Sequence, residues 1–221
     1  MAKRITDTDI EIAAYGTVEV SHWLRIPRPT LCSWVSKDGI IVPAEPHLLS
    51  FANVLELHVL KGMRRTYEVP MQRIRLAVEH VQEKYPSRHP LLDREFETDG
   101  VDIFIKDLGE YINVSKRGQA GFKEIVSTYL RRIGRGPTGL AEVLYPFVMA
   151  DKASEPALIS MNPKIAFGKP VIRNTAISTA LVAARFNGAR ESVTALASEY
   201  GLPEAQIEEA IRWENTQSVA A

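Results

Sequence analysis

A single cysteine, Cys32, stands in the 221 residues, so no disulfide can close within the chain and no cysteine-built metal site is available. That scarcity fits a reducing compartment, and a cytoplasmic location is expected. No stretch approaches the roughly 20 consecutive apolar residues that span a bilayer, so no membrane association is expected. The opening Met1-Ala2-Lys3-Arg4-Ile5-Thr6-Asp7 turns acidic where a secretion signal would carry its apolar run. An excess of one charge is missing too. Basic residues number 27 and acidic residues 27, which withholds the argument for nucleic acid that a uniformly basic chain would make.

Catalytic signals are equally scarce. His22, His47, His58, His80 and His89 show no His-x-x-x-His spacing, and no Gly-x-Ser-x-Gly elbow occurs. Cys32 has no evident base beside it and reads as a small, partly buried thiol. Gly168-Lys169-Pro170 lacks the glycine run and the hydroxyl residue of a phosphate loop, and reads as a β-turn. Asp93, Glu95, Asp99, Asp102 and Asp107 read as a solvated acidic edge, because alternation in a strand would split them between two faces. No enzyme, cofactor or metal is expected.

What is present is helical spacing in several blocks, enough for two or three small domains. Val20, Trp23 and Leu24 fall at i, i+3, i+4, and after Ile26-Pro27 a second short helix opens near Pro29 with Leu31, Trp34 and Val35 inward. Gly39-Ile40-Ile41-Val42 reads as a short strand ended by Pro43. Two longer helices are expected over Leu49 to Arg65 and over Met71 to Tyr85. Between Arg94 and Val114 the period changes to alternation, predicting strands at 101–105 and 111–114. Phe122 to Ile133 restores the helical period, Gly134-Arg135-Gly136-Pro137 breaks it, and a short helix is predicted from Leu140 to Tyr145. Asp151 to Pro156 reads as a linker. Short apolar runs with turns follow, and then three helices around residues 181–186, 193–200 and from Pro203 onward.

The neutral sum conceals segregated charge. Lys61 to Arg88 holds seven basic residues against three acidic, and Lys116 to Arg135 six against one. Asp93 to Glu110 reverses this with seven acidic against two basic, and Glu191 to Glu214 with six against one. A phosphate-facing surface should therefore come from the first two-thirds of the chain. The last helices suit a basic protein surface better.

Thr17 to Gly39 resembles the N-terminal winged helix-turn-helix of MerR-like regulators. Ile159 to Ile177, with Gly168-Lys169-Pro170-Val171-Ile172-Arg173-Asn174-Thr175 inside it, resembles the signature of domain-of-unknown-function family 433. Asn174 stands where that family usually has glycine, and Asn tolerates the left-handed conformation better than most residues. Chains combining these parts are similar to VapB-type antitoxins encoded beside PIN-domain (VapC-type) ribonuclease toxins.

The resemblance implies a mainly α fold with small antiparallel β-hairpins. Its parts would be a winged helix-turn-helix over 1–46, a helical and hairpin middle region over 47–150 that supplies the dimer seam, and a three-helix, helix-turn-helix-like domain over 151–221. It also implies an antitoxin that holds a toxin and represses its own operon by binding operator DNA as a homodimer. Under that reading Arg28, Thr30, Ser33 and Lys37 face bases or phosphates and Arg25 faces the DNA backbone. Trp23 and Trp34 are expected in the core. Arg64, Arg65, Arg73 and Arg75 suit either flanking phosphates or a solvated helix face. A MerR-like transcription regulator without a toxin, and an interaction module without DNA affinity, remain open as alternatives.

Overall fold

The computed structural model describes residues 6–36, 39–67, 70–93, 96, 100–102, 105, 116–148 and 154–218. A short helix α1 (Asp7–Glu11) opens it, with the Thr6 N–H and Oγ1 both donating to Asp9 Oδ2 at 2.7 and 2.8 Å. Strand β1 (Tyr15–Gly16), helix α2 (Thr17–Leu24) and helix α3 (Arg28–Trp34) follow. Val20, Trp23, Leu24, Leu31 and Trp34 are all buried, so the expected inward stripes of both helices form.

The expected wing does not form as a hairpin over Gly39–Val42. That stretch contributes an isolated bridge between Val35 and Ile41, and β1 pairs instead with β2 (Leu48–Leu49), antiparallel. The buried Asn53, in the helix that follows, fastens the end of that stretch. Its Nδ2 donates to the Val42 carbonyl at 3.0 Å and its Oδ1 accepts from the Ala44 N–H at 3.1 Å.

That helix, α4 (Phe51–Tyr67), is the centre of the molecule. Every residue from Phe51 to Leu60 is buried, as befits a helix covered on all sides. Over that span α4, expected to share in a dimer seam, leaves no face for a second copy. It packs against α6 (Lys116–Leu130) at a crossing set by Gly62, where a Cβ would stand 2.6 Å from the Tyr129 ring. Helix α5 (Met71–Lys84) buries Ile74, Ala77, Val78 and Val81, the stripe its spacing predicts, and leaves Leu76 exposed.

Two expectations fail just beyond α6. The helix stops at Leu130, and Ile133 begins a strand, β3 (Ile133–Arg135), paired with β4 (Ala141–Leu144) where a short helix was expected. Pro137 has no N–H and its ring would clash with the Ile133 carbonyl in a continued helix. The Tyr145 N–H donates to the Arg132 carbonyl at 2.8 Å and closes the hairpin. Gly134 to Gly139 does spell Gly-x-Gly-x-x-Gly. It joins two antiparallel strands, however, and not the strand-to-helix junction that dinucleotide binding requires. Val101, Asp102 and Ile105 are helical where strand was expected, and the strand expected at 111–114 lies outside the described residues.

Leu144 exchanges backbone hydrogen bonds with Met161, both 2.9 Å, stitching the hairpin to the final unit. There β5 (Ile159–Ser160) pairs antiparallel with β6 (Val171–Ile172) around a 3₁₀ turn at Ala166–Gly168. Three helices follow as expected: α7 (Thr179–Asn187), α8 (Val193–Tyr200) and α9 (Glu204–Ser218). Asn174 adopts φ 64°, the left-handed conformation anticipated for it. One continuous core runs from Ile10 through α4 to Trp213, across all three expected domains. The described residues are thus mainly α with three two-stranded antiparallel sheets. None of their helices is long and apolar enough to cross a membrane.

Candidate nucleic-acid interface

The α2–α3 pair is held by its turn. Arg25 closes α2 in the left-handed conformation, φ 51°, with its N–H directed at the His22 and Ser21 carbonyls. Ser21 Oγ donates to the Ile26 carbonyl at 2.7 Å, and Pro27 and Pro29 preset the first turn of α3. Behind the pair, Trp23 meets the Tyr15 ring edge-on with centroids 5.6 Å apart. These contacts fix which side of α3 faces outward.

On that side Arg28, Pro29 and Ser33 are exposed, as is Cys32, which lies on the outward face and not partly buried as expected, and Thr30 is half-buried. Ser33 Oγ donates to the Thr30 carbonyl at 2.7 Å, so its single proton is used within the helix and its lone pairs face solvent. Lys37 lies outside the described residues. Arg25 is placed differently from the sequence expectation of a backbone contact. Its guanidinium lies 5.6 Å from the Trp213 ring centroid, and Nε and Nη2 are sealed from solvent. The structure therefore brings Arg28, Thr30 and Ser33 together on one face and turns Arg25 toward α9.

The final unit grips this helix pair at several points. Lys164 Nζ is 2.6 Å from Asp9 Oδ1, and Lys169 Nζ is 3.7 Å from Glu19 Oε1. Gly168, at φ 77°, lies where a Cβ would come within 1.9 Å of the Tyr15 hydroxyl. The Lys164 hydrogen bond, followed by those from Thr6, lowers the Asp9 pKa to about 2. Burial, with the Glu19 charge adding, raises that of Tyr15 to about 12. The Gly-Lys of the family-433-like signature thus serves as a seam with the N-terminal helices, where no phosphate loop was expected.

Electrostatic contacts sort the segregated charge. Arg185 binds Glu191 at 2.5–2.7 Å and Glu199 at 2.6–2.7 Å and also meets the Tyr200 hydroxyl at 2.9 Å, absorbing part of the C-terminal acidic excess. Glu204 and Glu208, one turn apart on α9, are exposed. On the basic α6, Lys123 pairs with Asp102 at 2.7 Å.

One contact that spacing did not reveal is a buried triad. His89 Nδ1 is 2.8 Å from Glu56 Oε2, and its Nε2 is 2.7 Å from Glu11 Oε1. Its members come from α1, from α4 and from the segment after α5, so no local motif could announce it. No group of three or more His, Cys, Asp or Glu among the described residues could hold a metal ion.

Comparisons with known proteins bear on what this architecture is used for. Residues 159–213 match the family described as protein of unknown function (DUF433). The chain is 28% identical to the candidate antitoxin VapB45 of Mycobacterium tuberculosis, over 91% of this chain and 93% of that protein. It is 25% identical to Rv2308, an uncharacterised protein of the same organism, over 92% and 90% of the two chains. The crystal structure of Rv2018 from Mycobacterium tuberculosis superposes with a TM-score of 0.72 at 27% identity, covering 90% of this chain and 98% of that one. The chain is therefore similar over nearly its whole length to a candidate antitoxin.

Proposed function

We propose that the chain is an antitoxin that neutralises a PIN-domain (VapC-type) ribonuclease toxin and represses its own operon by binding operator DNA. The observation that carries this reading is the likeness to a candidate antitoxin across nine-tenths of both chains. The free outer face of α3 supports the DNA half. Arg28, Thr30 and Ser33 point away from the core, and Lys37 follows three residues past the helix end. Arg28 can grip a guanine edge with two hydrogen bonds, and the hydroxyls suit phosphate. The exposed Glu204 and Glu208 on α9 support a basic protein partner. One helix reads few bases, so the active species is a homodimer on a two-part operator. With α4 covered, its seam draws on other surfaces. The role is non-enzymatic and cytoplasmic.

Co-expression with the neighbouring open reading frame, tagging only this chain, tests the toxin half. A stoichiometric small partner with ribonuclease activity once released is the expected outcome. Elution alone, with DNA binding intact, would instead leave a MerR-like regulator without a toxin. For the DNA half, Arg28→Ala should weaken binding to the upstream DNA by about tenfold or more while the unfolding midpoint stays in place. Unchanged affinity in a gel-shift titration removes α3 as the reading helix.

A further inference from the structure

The 3₁₀ turn at Ala166–Gly168 holds an aromatic ring out in solvent on a backbone that disfavours it. Ala166, Phe167 and Gly168 are all left-handed, at φ 48°, 55° and 77°, and only glycine takes that conformation freely. Phe167 is nonetheless 87% exposed, the most exposed large apolar side chain among the described residues. Its ring therefore gains no core burial in return for the strain. Strain of this kind persists where the surrounding structure imposes it, and it gathers at functional sites. Here the turn is braced by its own backbone. The Ile165 N–H donates to the Asn162 carbonyl at 2.8 Å, the Gly168 N–H to the Ile165 carbonyl at 3.0 Å, and the Lys169 N–H to the Ala166 carbonyl at 3.1 Å. A ring fixed in this way meets a partner at little further cost in ordering.

Other exposed apolar side chains gather round the same place. Gly168 is pressed against the Tyr15 hydroxyl, and Tyr15 belongs to the β1–β2 pair. Leu48 stands opposite Gly16 in that pair, and Val18 follows Gly16 by two residues. Ile12 precedes Ala14, whose N–H donates to the Leu49 carbonyl at 3.0 Å. Ile12, Val18 and Leu48 are all exposed. Single exposed apolar residues are ordinary, whereas a gathered group marks an interaction surface.

The charge beside the turn selects the partner. Lys164 is matched by Asp9 at 2.6 Å and Lys169 by Glu19 at 3.7 Å. The two lysines that flank Phe167 thus leave no surplus for phosphate. The exposed carboxylates that suit a basic protein, Glu204 and Glu208, stand on α9 instead. A twofold dimer brings one patch against the same patch of a second copy. Matched charges then meet without the repulsion that a basic or acidic patch would suffer.

We propose that Phe167, with Ile12, Val18 and Leu48 around it, is the surface that receives a second copy of this chain. The assignment takes the need for a homodimer from the operator-binding reading, and it supplies the seam that the covered α4 cannot. Phe167 is the anchor, since rigid aromatic side chains dominate the energy of such contacts.

Sedimentation equilibrium of the full chain, with no DNA present, tests this. The unsubstituted chain should show a concentration-dependent monomer–dimer equilibrium. Phe167→Asn removes the ring, and it should weaken dimerisation by about tenfold or more. Because Asn tolerates the left-handed conformation, the same variant should hold or raise the unfolding midpoint of the dilute monomer. Val18→Ser, on the exposed side of α2, should weaken dimerisation less. An unsubstituted chain that stays monomeric up to on the order of 100 µM, or a dimer that both variants leave intact, overturns the assignment. So does weaker capture of the neighbouring-frame partner by Phe167→Asn with self-association unchanged, which would give the surface to the toxin. A dimer broken by Phe167→Asn in a chain that binds no DNA keeps the surface and removes the operator reading. DNA binding by a dimer that neither variant disturbs does the reverse.

Discussion

Glu56→Gln cuts one arm of the triad that ties α1 to the central helix. In the folded chain Glu56 and His89 have side chains 5% and 11% exposed, and Glu11, the second partner of His89, is 23% exposed. Burial alone would lower the His89 pKa, but the hydrogen bonds and charges of the two carboxylates outweigh it and raise the group. Burial raises Glu56 in turn, with His89 opposing. Removing one partner of a buried ion pair costs about 3–5 kcal/mol. Glu11 remains against the ring and the glutamine carbonyl still accepts a hydrogen bond, so a loss of about 2–3 kcal/mol is expected. The sign with pH follows from the raised His89. Its contribution is fully present below the unfolded value of about 6.5 and is lost as pH rises through the folded value. Urea unfolding of both proteins across about pH 6 to 9 should therefore show a stability gap that is widest at the acid end and narrows upward. A gap below about 1 kcal/mol near pH 6, or one that widens with pH, would refute the charged triad.

Two further substitutions probe the seam with the final unit. Gly168→Ala places a Cβ 1.9 Å from the Tyr15 hydroxyl at φ 77°, and should cost about 2–4 kcal/mol from backbone strain and overpacking. Adding Tyr15→Phe should recover part of that loss, so strictly additive costs in urea melts would rule out the contact. Asp9, held down to about 2 chiefly by Lys164, contributes stability above its ordinary carboxylate value that fades as pH falls toward 2. Asp9→Asn should flatten that acid limb in an acid titration followed by circular dichroism, and an unchanged limb would locate acid sensitivity elsewhere.

Much of the fold was legible because it is written in local spacing. The stripes Val20–Trp23–Leu24, Leu31–Trp34 and Ile74–Val78–Val81 each lie within one or two helical turns, and each is buried. The candidate site was half legible for the same reason. The outward face of α3 is the complement of its apolar stripe, whereas the fate of Arg25 depends on Trp213, 188 positions away in the chain. The apolar period of Ile133 continues that of α6 and by itself predicts helix. The hairpin bond from Tyr145 to Arg132 decided otherwise.

The amino-acid order by itself determined the positions of most helices, the left-handed Asn174, the segregation of charge and the DUF433-like segment, since each rests on neighbours a few residues apart. Tertiary structure alone decided that β1 pairs with β2, that α4 is covered on every side from Phe51 to Leu60, and that His89 sits between two carboxylates. Those features join residues tens of positions apart. Their energy comes from desolvated contacts that exist only once the intervening chain has packed.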